Sequence, residues 1–509
     1  MKKISNDTVR TKVFDALGKH YSLEVPLYAD LLDVIRESNQ AFEAKNPGAL
    51  EAMGLTEQRL TEERHGAIRL GTPKELQTFS DIFKIMGMHA TNYYDLTPEG
   101  HPIHSTAFRP IAKDSLAENP SRMFCSLLRT DLLPEEIRDE VKTYLESRKL
   151  FSNELQGLIK DWKKNKGFTN QEQMDQFAQE VVKTLTWSSE SKLPARLYTK
   201  LKEFSDIAAD ICAGVNINHL TPVALDIDDV YKRLNAKSIS TIDSIQGPPL
   251  EIKVLLNQTS FTSQARGIRM EDEGGQKKEF LHKTQFGEIE SRWVALKQEG
   301  REHYDRCTAR TSELMNAMLA EAEISKGSKL TPAETSAIKR ENYNGLLKEA
   351  FKDFPADAVK PGENSVAYYR YEATEEGRKN KGNLKGMNLD ELLEKGYVKA
   401  TQITYEDFLP ASAARIFDSN LENVLGKLNL KFDSLKEYKA YERKQKKAFI
   451  KALGHDVINS FELYSAEEAK SKKQMFSDLG LRPSPLEIIS LNTHIRNDPA
   501  LKLQMSMAA

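Results

Sequence analysis

Apolar residues recur at three- and four-residue spacing through VPLYADLLDVIRESNQAF (25–42), where Leu31, Leu32, Val34 and Ile35 fall on one stripe. That spacing predicts helices across residues 10–44, interrupted at Pro26. The pattern then changes. In RHGAIRLG (64–71) alternate positions match, so the segment predicts a strand. TPKELQTFSDIFKIMG (72–87) returns to helical spacing, with Thr72 as N-cap, Pro73 in the first turn and Glu75 as the capping-box acid. Residues 134–213 carry charged faces and apolar stripes and read as a helical insertion. A short strand-like run follows at 215–219, and Thr221-Pro222 looks like a helix start. Residues 250–294 read as strands around the loop EDEGGQ, with HKTQFGEIESRWVAL as a single strand-like run. A helix-rich stretch (300–352), a loop (RKNKGNLKGMN), a strand within 397–410 and a partly basic helical part (434–475) complete the order. There is no internal repeat. The expectation is an α+β fold: a central mixed sheet surrounded by helices, with residues 1–480 as one body and 481–509 as a C-terminal tail.

Composition narrows the function classes. The 509 residues carry 73 Lys+Arg against 75 Asp+Glu, a formal net charge of −2, which argues against nucleic acid as the main partner. Charged residues make up 29% and hydrophobic residues 39%, the balance of a soluble globular protein. Cys125, Cys212 and Cys307 are far apart and lack CxxC spacing, as expected for reduced thiols in a cytoplasmic setting. The N-terminal lysines are not followed by an apolar signal core, and no window is long and apolar enough to span a membrane.

Three segments carry candidate chemistry. In the 64–71 strand, His65, Ala67 and Arg69 share one face and Gly66, Ile68 and Leu70 the other. A His/Arg face is a poor core face unless it lines a cavity. Four residues of strand span roughly 13 Å, so a metal at His65 and an anion at Arg69 would sit at opposite ends of one pocket. His219, in VNINHLTP, stands last before a turn. Glu288 and Glu290, in FGEIESR, share a strand face, where a half-buried carboxylate is costly unless paired or bound to a cation. Two histidines and a carboxylate suit non-haem Fe(II) when coordination positions stay open. The same set on zinc suits hydrolysis. Spacing alone leaves both open.

The segments ERHGAIRLGTPKEL, HPIHSTAFRP, INHLTP, IQGPP, QTSF, FGEIESR and YEDFLPASAARIF occur in this order. Together they resemble the 2-oxoadipate dioxygenase/decarboxylase family, also called hydroxyglutarate synthase, from about residue 10 to about residue 480. The resemblance implies a curved sheet of the vicinal-oxygen-chelate type and an Fe(II) cofactor. It implies His65, His219 and Glu288 as metal ligands, with Glu290 in reserve. Arg69 is then the substrate arginine, His65 lies beside the substrate, and Ala411 and Ser412 of FLPASAA make further substrate contacts. Ala411 stands where the family more often has valine, and Arg415 where glycine is usual. The implied reaction converts 2-oxoadipate and O2 to 2-hydroxyglutarate and CO2, a late step of lysine breakdown. Arg69 would grip the distal carboxylate as a bidentate fork.

Five further residues are candidates for supporting roles. His282 would share a strand face with Glu288 if one regular strand held both, and Gln258 and Ser260 share a face in NQTSF. His104 and Arg109 of HPIHSTAFRP are read as lining the pocket or holding a loop. The rival readings are a zinc- or manganese-dependent isomerase or hydrolase on the same ligands, and a non-catalytic protein that binds a metal or a 2-oxo acid. The expected partners are a small 2-oxo dicarboxylic acid and O2, without nucleic acid or membrane, in a monomer or small homo-oligomer.

Overall fold

A computed structural model describes residues 3–508, apart from 26, 98–99, 240, 242–244, 262–265, 283–286 and 410–434. The strands are β1 (Arg64–Leu70), β2 (His89–Asp95), β3 (Ile103–Arg109), β4 (Arg122–Leu128), β5 (Leu220–Pro222), β6 (Leu256–Phe261), β7 (Arg266–Glu271), β8 (Lys277–His282), β9 (Gly287–Arg292), β10 (Tyr369–Ala373) and β11 (Val398–Gln402). The main sheet runs β2-β3-β4-β1-β5. Within it β1 and β4 are parallel, whereas β1–β5, β2–β3 and β3–β4 are antiparallel. At its β5 edge the chain passes to the β6–β9 pair. Val223 bridges Glu290, and Ala224 N–H donates to the Glu290 carbonyl at 2.8 Å. The α+β class with a mixed central sheet is therefore what the chain adopts.

Each face of β1 packs against a different layer. Ile68 and Leu70 join a core with the N-terminal helix (Val9, Val13, Leu17) and with the Pro73–Ile85 helix (Phe79, Ile82, Phe83). The latter helix begins with the expected cap. The Thr72 hydroxyl accepts from Glu75 N–H and the Glu75 side chain reaches back to the cap, with Pro73 in the first turn. Ala67 joins the other core with Phe124 of β4 and with Val141, Leu145, Leu197 and Ile211 of the insertion. Residues 134–213 are helical as expected, and they leave the sheet after β4 and return it at β5. Both of those strands flank β1. The insertion thus roofs the sheet face that carries His65 and Arg69.

Two local readings need correction. Residues 214–219 form no strand, and Thr221-Pro222 lie in β5 rather than opening a helix. That helix starts later, at Ile227, capped by Asp226. HKTQFGEIESR keeps one register: Arg266↔His282 and Phe261↔Gly287 belong to a single antiparallel alignment, so β7–β8 continues the pairing of β6–β9, with 262–265 and 283–286 outside the described residues. Residues 481–509, read as a tail, contain the helices Pro485–Arg496 and Pro499–Ala508. No helix among the described residues is long and apolar enough to cross a membrane.

Candidate metal centre

The register of the sheet builds the site. His65 on β1 lies directly opposite Thr221 on β5, so their side chains share a face. His219 stands two residues before Thr221, immediately ahead of the strand. The next strand along, β9, presents Glu288 and Glu290. Residues two strands apart in a flat sheet are separated by about 9.6 Å. Here the His65 and Glu288 side chains close that gap over Thr221. His65 Nε2 lies 2.7 Å from Glu288 Oε1, and the Thr221 hydroxyl donates to the same oxygen at 3.1 Å. His219 Nε2 is 3.9 Å from it. Gly66 makes room for this approach, since a Cβ there would stand 3.2 Å from the His219 carbonyl oxygen and 2.9 Å from Met123 Sδ.

One donor atom each from His65, His219 and Glu288 falls within 4.8 Å of the others, and all three residues are buried. Metal–nitrogen and metal–oxygen bonds of about 2.1 Å place donors around one ion about 3–4 Å apart, so the spacing fits an ion with small side-chain adjustments. Glu288 Oε2 has no hydrogen-bond partner among the described residues although it is buried. A carboxylate oxygen in that state suits a cation.

Glu290 plays a different part. Its Oε2 stands 3.0 Å from His65 Nδ1, on the far side of the ring from Glu288, and accepts from Arg122 Nη2 at 2.9 Å. A carboxylate on Nδ1 fixes the tautomer that leaves Nε2 as the donor atom. The same two carboxylates also favour a proton on the ring. Burial alone would lower the His65 pKa, but the Glu290 charge and the hydrogen bonds to both glutamates raise it above the usual value. Both carboxyls are held below their usual range against the opposing effect of burial, Glu288 by the two histidines and Glu290 by Arg122 and His65. Burial drives His219 down to about 4, and Arg69 and His65 contribute to the shift. His219 is accordingly neutral near pH 7, the form that ligates metals.

Arg69 lies further along the same face of β1. Its Nη1 pairs with Asp210 of the Asp206–Ala213 helix, the last helix of the insertion. Gln258 and Ser260 on β6 sit directly across from Glu290 and Glu288, buried and on the same face. His282 ends β8, six residues before Glu288 and in the same register as the β6–β9 pair. His104 is on the opposite sheet face, since its partner Leu127 pairs in turn with Leu70. It packs edge-on against Phe449 at 4.7 Å, away from the cluster. Arg109 holds a loop: its guanidinium donates to both Asp407 oxygens, at 2.9 and 3.2 Å.

That loop, 404–409, is bolted to the site. Glu406 pairs with Arg59 and Arg292, which hold its carboxyl down to about 2 despite burial. Burial and the nearby Arg59 bring Arg292 down to about 10, leaving it charged at neutral pH. The Phe408 ring stands edge-on to His65 at 5.0 Å, with the Arg122 guanidinium over it at 4.4 Å. Ala411, Ser412 and Arg415 follow directly but lie outside the described residues. Sequence reasoning missed Arg122, Asp210, Thr221 and Asp407. Arg122 and Asp210 did carry a signal, a charge adjoining apolar residues (RMFCSLL and IAADICA).

Three buried donors beside a partnered arginine define a candidate mononuclear metal site. The chain belongs to the 2-oxoadipate dioxygenase/decarboxylase family, whose model matches residues 13–420. It is 36% identical to the 2-oxoadipate dioxygenase/decarboxylase of Pseudomonas putida, covering 94% of this chain and 98% of that one. Identity to the Escherichia coli protein of the same name is also 36%, over 92% and 98% of the two chains. The crystal structure of hydroxyglutarate synthase from Pseudomonas putida in complex with 2-oxoadipate superposes with a TM-score of 0.78, at 34% identity, over 94% of this chain and all of that one.

Proposed function

We propose that this protein is an Fe(II)-dependent dioxygenase that converts 2-oxoadipate and O2 to 2-hydroxyglutarate and CO2 in the cytoplasm, as part of lysine breakdown. The observation that carries the reading is the buried His65–His219–Glu288 cluster on the sheet face shared with Arg69. Residues 1–480 form its catalytic body. His65, His219 and Glu288 hold the metal. Iron bound there supplies the binding of the 2-oxo acid and the activation of oxygen. Glu290 keeps the proton on His65 Nδ1 and Arg122 keeps Glu290 ionised. Arg69 receives the distal carboxylate and aims the chain. Ala411 and Ser412, outside the described residues, complete the substrate contacts. Gln258 and Ser260 support the glutamate row from β6. Burial of the cluster excludes bulk water from the reacting groups.

Oxygen uptake by anaerobically iron-reconstituted protein tests the reading. We expect uptake that depends on 2-oxoadipate and matches CO2 release one for one. Absence of uptake with iron bound removes it. Turnover on zinc or manganese without oxygen would favour the isomerase or hydrolase reading. Binding of iron and the acid without any turnover would favour a non-catalytic role.

A further inference from the structure

The helical insertion contributes a charge to the pocket. Asp210 lies on the Asp206–Ala213 helix, which Ser205 caps at its N-terminus. The residue is buried among the apolar residues that follow Asp206 in this helix, of which Ile207, Ala208 and Ile211 belong to the core. A buried carboxylate is costly unless paired, and the pairing here is specific. One oxygen, Oδ2, accepts from Arg69 Nη1 and from Asn218 Nδ2, the latter at 3.4 Å. Asn218 immediately precedes His219, and its backbone N–H donates to the Ala67 carbonyl at 2.9 Å, between His65 and Arg69 on β1. A single carboxylate therefore ties together the arginine and the segment that carries His219.

We propose that Asp210 is a positioning residue that sets the chain length of the acid accepted. The inference rests on the functional reading above, in which Arg69 receives the distal carboxylate. A guanidinium is flat, with five N–H groups in fixed directions. Anchoring Nη1 fixes the plane of the fork, and with it the direction and depth at which a second carboxylate can dock on two parallel hydrogen bonds. Without the anchor, Arg69 has a long flexible stem and meets carboxylates over a range of depths. Asp210 belongs to the insertion whereas Arg69 belongs to the sheet. The depth at which Arg69 meets the acid is thus set by how the insertion packs, whereas the metal donors come from β1, from β9 and from the residue just ahead of β5.

The test is steady-state oxygen uptake by iron-loaded wild type, Asp210→Asn, Asp210→Glu and Arg69→Ala. The acids are 2-oxoadipate, the one-carbon-shorter 2-oxoglutarate and 2-oxohexanoate, which has no distal carboxylate. For Asp210→Asn, KM for 2-oxoadipate rises roughly 10- to 100-fold, the worth of a charge-assisted hydrogen bond. Its KM for 2-oxohexanoate and its iron content stay at wild-type values. Asp210→Glu keeps the charge but pushes the guanidinium inward by one methylene, which shifts preference towards 2-oxoglutarate. In the Arg69→Ala background, Asp210→Asn has no further effect on 2-oxoadipate. A purely structural Asp210 would instead lower turnover of all three acids together, and that result overturns the proposal. So does a wild-type chain-length preference in both Asp210 variants. Wild type that takes up no oxygen with 2-oxoadipate overturns the functional reading itself, whereas active wild type with unaffected variants overturns only the role of Asp210.

Discussion

The two ends of the pocket are built by different means. At the metal end, His65, Thr221, Glu288 and Glu290 come from three neighbouring strands, and register alone puts them on one face. At the far end, Arg69 comes from the same sheet, but its partner Asp210 arrives on a helix that enters between β4 and β5. Strand register moves in steps of whole residues, and a one-residue slip would turn every donor to the other face. A helix packed on a sheet has no such lock and shifts with its core neighbours. On the proposed reading the arrangement separates a chemical end from a recognition end, and substitutions at the two should have separable effects.

The sharpest break is at the donors. His219→Ala should abolish both tight iron binding and oxygen uptake, measured as metal per chain after desalting, with the fold retained by circular dichroism. Next comes the clamp on the 404–409 loop. Asp407→Ala strands the buried Arg109, which burial would discharge but which Asp407 and Tyr464 keep charged. Removing one member of such a pair costs about 3–5 kcal/mol, read as lowered stability in urea. Arg69→Ala should then cost about 2–5 kcal/mol in kcat/KM for 2-oxoadipate, the price of a lost buried charge pair, with iron content unchanged. Glu290→Gln should weaken iron binding about 10- to 100-fold without abolishing it. Glu290→Gln that loses iron as completely as Glu288→Gln would erase the distinction between ligand and orienting group.

Legibility in the sequence followed the same division. Alternation in RHGAIRLG placed His65 and Arg69 on one face, and the capping signals of the following helix were local and complete. The helical character of 134–213 was readable from its stripes, because each helix buries one face. What the insertion does to the pocket was not readable, since Asp210 meets Arg69 across 141 residues of sequence. The strand-like run in HKTQFGEIESR was readable from its alternation, and the pairing keeps one register from Lys277 to Arg292 on both sides of 283–286. His104 and Arg109 differ by an odd number of positions and so point to opposite faces of β3. Their shared motif had suggested a shared role.

His104 offers the smallest effect and a contrast with the site histidines. Burial and the Arg129 charge bring it down to about 3, against an ordinary histidine value of 6.5. The sign follows from linkage. Below pH 6.5 the unfolded chain takes up a proton at this position that the folded chain refuses, so stability falls as pH falls from 6.5 towards 3. The slope for one such site reaches about 1.4 kcal/mol per pH unit. Replacing His104 with Phe preserves an aromatic ring against Phe449 and removes the titration. At pH 7.5 the variant and wild type should unfold at similar denaturant concentrations. By pH 5 the variant should be the more stable by about 2 kcal/mol, with iron affinity at neutral pH unaltered. An equal pH dependence in both proteins would show that His104 takes up its proton in the folded state. A change in iron affinity would place His104 within reach of the metal cluster, contrary to its position on the opposite face of the sheet.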